Sequence, residues 1–164
     1  AARGKRRMLC DADLAMPIAF LDRFLHKLSE GYDIAIGSRE IAGAHRFNEP
    51  AARHWIGRVF NWVVRIFAVR QFQDTQCGYK CFTSESAQIL FGLQRTKGFG
   101  FDVEILFLAQ QKELSVSELP IDWYHQPGSK VRPVRDGFAM FKDVLVLRLM
   151  WLCGRYNSTG ELLV

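Results

Sequence analysis

Two carboxylates stand one residue apart near the start of the chain, Asp11 and Asp13, directly after the short run Arg7-Met8-Leu9-Cys10. If that run is a strand, side chains at i and i+2 leave it on the same side. Paired carboxylates at a strand end can hold a hard divalent cation such as Mg2+ beside a phosphate. The triplet suits equally a solvated turn in which an Asp caps the helix that opens near Pro17. Spacing alone does not choose between the two. Further along, Gly128-Ser129-Lys130-Val131-Arg132 reads as a flexible basic loop.

The elements that must position these groups fit one ordinary domain of 164 residues, 49% apolar, without repeats or low-complexity tracts. A net charge of +5 points to anionic partners: phosphates, nucleic acid or an acidic membrane surface. Nucleic acid is disfavoured because the basic residues are dispersed and no recognition motif occurs. Cys10, Cys77, Cys81 and Cys153 lack zinc-ligand spacing and read as reduced thiols of a cytosolic protein. The basic start runs into Asp11 rather than an apolar segment, so no secretory signal is read there. No uncharged run of about 18 residues occurs, so no strong transmembrane helix is expected.

Ile18, Phe20, Leu21, Phe24, Leu25 and Leu28 recur at helical spacing between Pro17 and Ser29, and Gly31 stops the pattern. The segment 32–37 reads as a strand, so the first strand, this helix and the second strand predict a βαβ unit. Residues 40–50 read as a long polar loop. From Ala51 to Val69 a helix is predicted, with His54, Arg58, Asn61 and Arg65 in one stripe about 60° wide. The remainder of its surface, including Trp55, Trp62 and Phe67, is apolar. That pattern fits an interfacial membrane helix, and equally a core helix with a solvated basic edge. Residues 73–82 read as a turn entering a short strand, followed by a small helix from Ser84 to Leu90. A Gly-aromatic hinge at 97–101 leads into an apolar helix, Asp102–Gln111, with Asp102 at or near its N-cap. One strand is predicted over 115–124, with Pro120 marking an edge or bulge. The helix predicted over 137–155 is apolar on nearly all sides and must be buried, paired or laid on a membrane. The tail after Tyr156 reads as frayed.

Five segments in order, Asp11-Ala12-Asp13-Leu14, Ile36-Gly37-Ser38-Arg39, Asp74-Thr75-Gln76-Cys77-Gly78-Tyr79-Lys80, Gly100-Phe101-Asp102-Val103-Glu104 and Gly128-Ser129-Lys130-Val131, resemble the GT-A glycosyltransferases of family 2. Within that family the resemblance is closest to the dolichyl-phosphate β-glucosyltransferases and other polyprenyl-phosphate glycosyltransferases. It implies an α/β fold: a partial GT-A, Rossmann-like nucleotide-diphospho-sugar transferase domain without its N-terminal strands, bearing amphipathic membrane-facing helices. Residues 1–156 would be the C-terminal portion of that catalytic domain and 157–164 a tail.

The implied reaction is an inverting transfer of a sugar, glucose in the closest relatives, from a nucleotide-diphosphate sugar such as UDP-glucose to a polyprenyl or dolichyl phosphate. It would take place at the cytoplasmic face of a membrane, to which the protein binds peripherally. By resemblance, Asp11 and Asp13 hold Mg2+ or Mn2+, and Asp74 and Asp102 are the catalytic acids near the sugar or acceptor. Arg39, Gln76, Ser129, Lys130 and Arg132 contact the anionic substrates, and Glu104 is structural. Two other readings stay open: a family 2 transferase acting on a glycan hydroxyl, and a truncated, non-catalytic membrane-associated module. A half sheet also leaves an exposed strand edge, which a second copy or a partner chain would cover.

Overall fold

Strand β4 (Tyr79–Thr83) lies inside the sheet, and the candidate site is arranged around its first residues. It lies between β1 (Arg6–Cys10) and β2 (Ile34–Ser38), antiparallel to both, and β5 (Val116–Pro120) completes the sheet in parallel to β2, giving the order β1-β4-β2-β5. The computed structural model describes residues 2–13, 15–98, 100–126 and 133–156. Strands β1 and β2 are therefore parallel, as a βαβ unit requires, with α1 (Leu21–Ser29) between them in sequence. They are not neighbours, because β4 is inserted between them.

All of β2 is buried, which is why its sequence is apolar on both faces rather than alternating. Period-2 geometry sends Tyr79 and Cys81 of β4 to one face, into a cluster with Phe24 and Leu28 of α1. Phe82 goes to the other face, where it meets Ile34, Ile36 and the helices α3 (Ser84–Leu93) and α4 (Phe101–Gln111). Pro120 ends β5 on the sheet's edge, where its missing N–H costs nothing. Among the described residues β1 pairs with β4 alone, so the opposite edge is open.

Three expectations are corrected. The predicted strand over 115–124 is broken at Ile121 into β5 and β6 (Asp122–Tyr124). The predicted loop 40–50 contains β3 (His45–Phe47), which pairs in parallel with β6 as a separate two-stranded ribbon. Asp102 lies in the first turn of α4 but does not cap it; Gly100 occupies the cap position, with no side-chain cap bond.

Glu104, also in that first turn, is fully buried. Its carboxylate accepts hydrogen bonds from the Arg95 and Thr96 amides (3.0 and 2.7 Å) and from the Tyr156 hydroxyl. Burial and the Glu104 bond both push the Tyr156 hydroxyl's pKa up, keeping it a donor. Glu104 thus ties the end of the chain's described part to the turn before α4. The substitution Tyr156→Phe removes one of these bonds and leaves a carboxylate oxygen buried. It should lower unfolding stability by about 1–3 kcal/mol, read from the urea midpoint.

Helices α2 (Ala51–Phe67) and α5 (Pro133–Leu152) pack side by side. The Phe67 and Phe141 rings meet edge to face at 5.6 Å, and Arg148 Nε donates to the Phe67 carbonyl at 2.6 Å. Periodicity left open which way α2 turns. Its apolar stripe Trp55, Val59, Trp62 and Ile66 faces outward, with Trp55 67% and Trp62 61% exposed. Of the polar stripe, His54 bonds Glu49 and Asn61 bonds the chain at 73–75, while Arg58 remains exposed. Phe138, Leu145, Leu149 and Leu152 add exposed apolar surface on α5. No described helix is long and apolar enough to cross a membrane.

Candidate functional site

The ladder between β1 and β4 runs one residue past Cys10, because the Asp11 amide donates to the Gly78 carbonyl at 3.0 Å. That bond lays the Asp11 side chain directly over the Gly78 α-carbon. A Cβ at position 78 would sit 1.9 Å from Asp11 Oδ2, so the seat exists only because residue 78 is glycine. No described residue donates a hydrogen bond to the Asp11 carboxylate. Partial burial raises its pKa, and the charges of Asp102 and then Asp13 raise it further against the pull of Lys80 and Arg39. A carboxylate held without a donor beside two others is a chemical fit for a hard cation. Asp13 Oδ1 accepts from the Ala15 amide at 3.0 Å, a local turn rather than a helix cap; the cap of the following 3-10 turn is Pro17. Among the described residues no group of three or more His, Cys, Asp or Glu side chains is placed to hold a metal. The two carboxylates that resemblance assigns to a metal, Asp11 and Asp13, line the same cleft.

Asp11 and Asp13 open onto a cleft whose other walls include Arg39, Tyr79 and Trp123. Arg39 follows β2, and its guanidinium meets Asp74 in a two-pronged pair, Nε to Oδ2 at 2.6 Å and Nη2 to Oδ1 at 2.9 Å. The same carboxylate accepts the backbone amides of Arg39 and Gln76 at 3.0 and 3.1 Å. Burial works against the Asp74 charge, but the Arg39 charge and these hydrogen bonds outweigh it and hold the pKa at about 2. The balance is similar for Arg39: burial opposes its charge, and Asp74 more than compensates, raising its pKa. The Arg39 guanidinium also lies 5.6 Å from the centre of the Trp123 ring.

This geometry separates two residues that the sequence grouped. Asp74 is only 2% exposed, ionised and fully engaged, so its carboxylate orients Arg39 and is a poor proton acceptor. Asp102 lies near Asp11, and its Oδ1 accepts from Lys80 Nζ at 2.5 Å. Lys80 is completely buried on β4 and also donates to the Cys77 carbonyl. The motif Gly78-Tyr79-Lys80 contains Lys80 without marking it as part of the site. The usable signal was a lysine inside an otherwise apolar strand, which must find a partner. Trp123 and Glu118 were missed as well, since neither lies near the motifs in sequence. Glu118 accepts the Gln73 and Asp74 amides at 3.0 and 2.9 Å, fixing the turn that presents Asp74. Gln76 does not line the cleft; its side chain reaches Met140 Sδ on α5 at 3.5 Å. Ser129, Lys130 and Arg132 lie outside the described residues. All four cysteines are free, and burial pushes Cys77 and Cys81 up to about 12, so both stay thiols.

The architecture is that of a GT-A glycosyltransferase domain. It superposes on glucosyl-3-phosphoglycerate synthase from Mycobacterium tuberculosis in its complex with uridine diphosphate, with a TM-score of 0.58 and 18% identity, over 93% of this chain and 51% of that one. The form of that enzyme solved with Mn2+, UDP-glucose and phosphoglyceric acid gives the same TM-score at 17% identity. These likenesses concern the fold. No family model matches the chain. Individual proteins do match: along nearly its whole length the chain is homologous to the dolichyl-phosphate beta-glucosyltransferases. It is 34% identical to that protein of Saccharomyces cerevisiae, over 97% of this chain and 52% of the relative. The human protein is 31% identical over 96% of this chain and 51% of its own length, and glycosyltransferase AglD of Haloferax volcanii is 33% identical over 92% and 24%. The chain spans about half the length of the dolichyl-phosphate relatives it matches.

Proposed function

We propose that this chain supplies the metal, phosphate and membrane side of an inverting glucosyltransferase that moves glucose from UDP-glucose to a dolichyl or polyprenyl phosphate. The observation that carries the reading is the cleft itself, lined by Arg39, Asp13, Trp123 and the Asp11 carboxylate, which no described residue hydrogen-bonds. Homology to dolichyl-phosphate beta-glucosyltransferases supplies the substrate class. Residues 1–156 are read as the C-terminal portion of the catalytic domain.

Asp11 and Asp13 would hold a divalent cation, Mg2+ or Mn2+, which when bound offsets the negative charge that builds on the departing nucleotide diphosphate. Arg39, kept charged and aimed by Asp74, binds anionic oxygens of donor or acceptor in the same cleft. Asp102, held by Lys80 at the Asp11 side, orients sugar hydroxyls. The acceptor needs little help to become a nucleophile, since a phosphate monoester has a second pKa of about 6 and is largely dianionic at neutral pH. A site whose buried carboxylate titrates near 2 suits that acceptor better than a glycan hydroxyl, which needs a competent base. Ser129, Lys130 and Arg132 take the part that resemblance implies, polar and basic groups that relieve repulsion between two anionic substrates. Transfer of labelled glucose from UDP-glucose to dolichyl phosphate by the intact protein, with Mg2+ or Mn2+, tests the reading. If calorimetry finds neither nucleotide-sugar binding nor metal binding in that protein, the non-catalytic module is the better account.

The outward faces of α2 and α5 are read as the contact with the bilayer where the lipid acceptor resides, placing the protein peripherally on the cytoplasmic face. Each Trp carries a large apolar surface with a polar edge, which suits the headgroup boundary. Replacing both Trp55 and Trp62 by Ala should weaken sedimentation with phosphatidylserine-containing vesicles by roughly tenfold or more, with unfolding stability nearly unchanged because both rings are already in solvent. Binding equal to wild type would remove α2 from the contact. The open edge of β1 is read as the seat of a second copy or another chain segment, and light scattering tests the dimer.

A further inference from the structure

The inward polar stripe of α2 has no part in the reaction proposed above, and one of its residues touches the site's supporting turn. Asn61 Oδ1 accepts from the Thr75 amide at 3.2 Å and from the Thr75 hydroxyl at 2.8 Å. Its Nδ2 donates to the Gln73 carbonyl. Thr75 is completely buried and Asp74, between the two contacted residues, is nearly so. Glu118 on β5 holds the same turn from the other side through the Gln73 and Asp74 amides.

We propose that Asn61 is a positioning residue for the cleft: from α2 it fixes the turn 73–75 in the one shape that lets Asp74 aim the Arg39 guanidinium. The argument is one of saturated partners. The Asp74 carboxylate already meets four donors, the Arg39 amide, Arg39 Nε, Arg39 Nη2 and the Gln76 amide. It cannot follow a shift of the turn without giving up some of them. Without Asn61, the buried Thr75 amide and hydroxyl lose their acceptor, and the turn must move to find another. Arg39 is then displaced although neither it nor Asp74 has been altered. The stripe that the sequence presents as a basic surface contains, at its one uncharged amide, a tie between the membrane-directed helix and the anion-binding arginine.

The test is hydrogen exchange on the intact protein carrying Asn61→Ala or Asn61→Asp. The second variant keeps the side chain's shape but turns an acceptor toward the Gln73 carbonyl, and serves if the first does not fold. Amides at 73–76 and at Arg39 should exchange at least about tenfold faster while those of β4 and α4 keep their rates. Unchanged exchange at Arg39 overturns the proposal. Equal loosening across β4 and α4 overturns it too, since it marks a residue that only supports the fold. A second arm rests on the proposed function: KM for UDP-glucose should rise by roughly tenfold, with kcat within about twofold. Failure of the wild-type protein to transfer glucose would sink that function while leaving the exchange result to decide on Asn61.

Discussion

The variant Asp74→Ala is expected to lose about 3–5 kcal/mol of unfolding stability, because it strands the Arg39 guanidinium without its partner in a largely buried position. It also orphans the Arg39 and Gln76 amides, which donate to the same carboxylate. Asp74→Asn, which keeps acceptor geometry at one oxygen but no charge, should lose less. Arg39→Lys should not be a conservative replacement, since an ammonium cannot reproduce the two-pronged contact. The pH dependence carries the same signature. Asp74 titrates at about 2 in the fold and near its ordinary value of about 3.9 when unfolded. A depressed folded pKa contributes stability above the unfolded value. That contribution, roughly 2–3 kcal/mol, is intact above about pH 5 and is lost as the pH falls toward 2. Urea titrations of wild type and Asp74→Asn at pH 7 and pH 3 check this: the gap between them should narrow in acid. A stability loss in Asp74→Ala below about 1 kcal/mol would show that the pair is not holding the turn.

The second large effect is expected from a single methyl group. Gly78 has ordinary backbone torsions, so Gly78→Ala imposes no strain on the strand, but its Cβ takes the space of the Asp11 carboxylate. Asp11 is exposed enough to swing aside, so the fold should survive with a stability change within about 1 kcal/mol. Affinity for Mn2+, followed by electron paramagnetic resonance, should fall about 10–100-fold, as when a group that orients a metal ligand is lost. Asp11→Asn is the reference. If Asp11→Asn loses the metal and Gly78→Ala does not, the glycine seat is irrelevant. If neither loses it, Asp11 is not a ligand.

The parts of the fold legible in sequence were those with a strong period. The spacing of Phe24 and Leu28 made α1, and the continuous apolar run of Ile34, Ala35 and Ile36 made β2. The ribbon of β3 and β6 was not legible, because three-residue strands with mixed polarity form only when a partner edge is present. For α2, periodicity established two faces but not which one turns inward. A core helix would bury the Trp face and an interfacial one would expose it; in the structure that face meets solvent, while Val64 and Ala68 fill the core contact and Asn61 meets the turn below.

Within the site, the sequence by itself determined what local geometry controls. Two carboxylates one residue apart stay together in the turn that follows β1, and the motif Gly78-Tyr79-Lys80 starts the strand beside them. Only the tertiary structure decided which charged groups are free and which are spent. Asp74 and Arg39 lie 35 residues apart in the chain and Lys80 and Asp102 lie 22 apart, yet each pair closes to hydrogen-bond distance. Protonation and reach depend on such through-space partners and on burial, and neither is a property of neighbouring residues. Asp74 and Asp11 are the same amino acid in similarly acidic and polar motifs. One is locked at about 2 by an arginine; the other is pushed upward by burial and then by two carboxylates, in a seat that a glycine leaves room for.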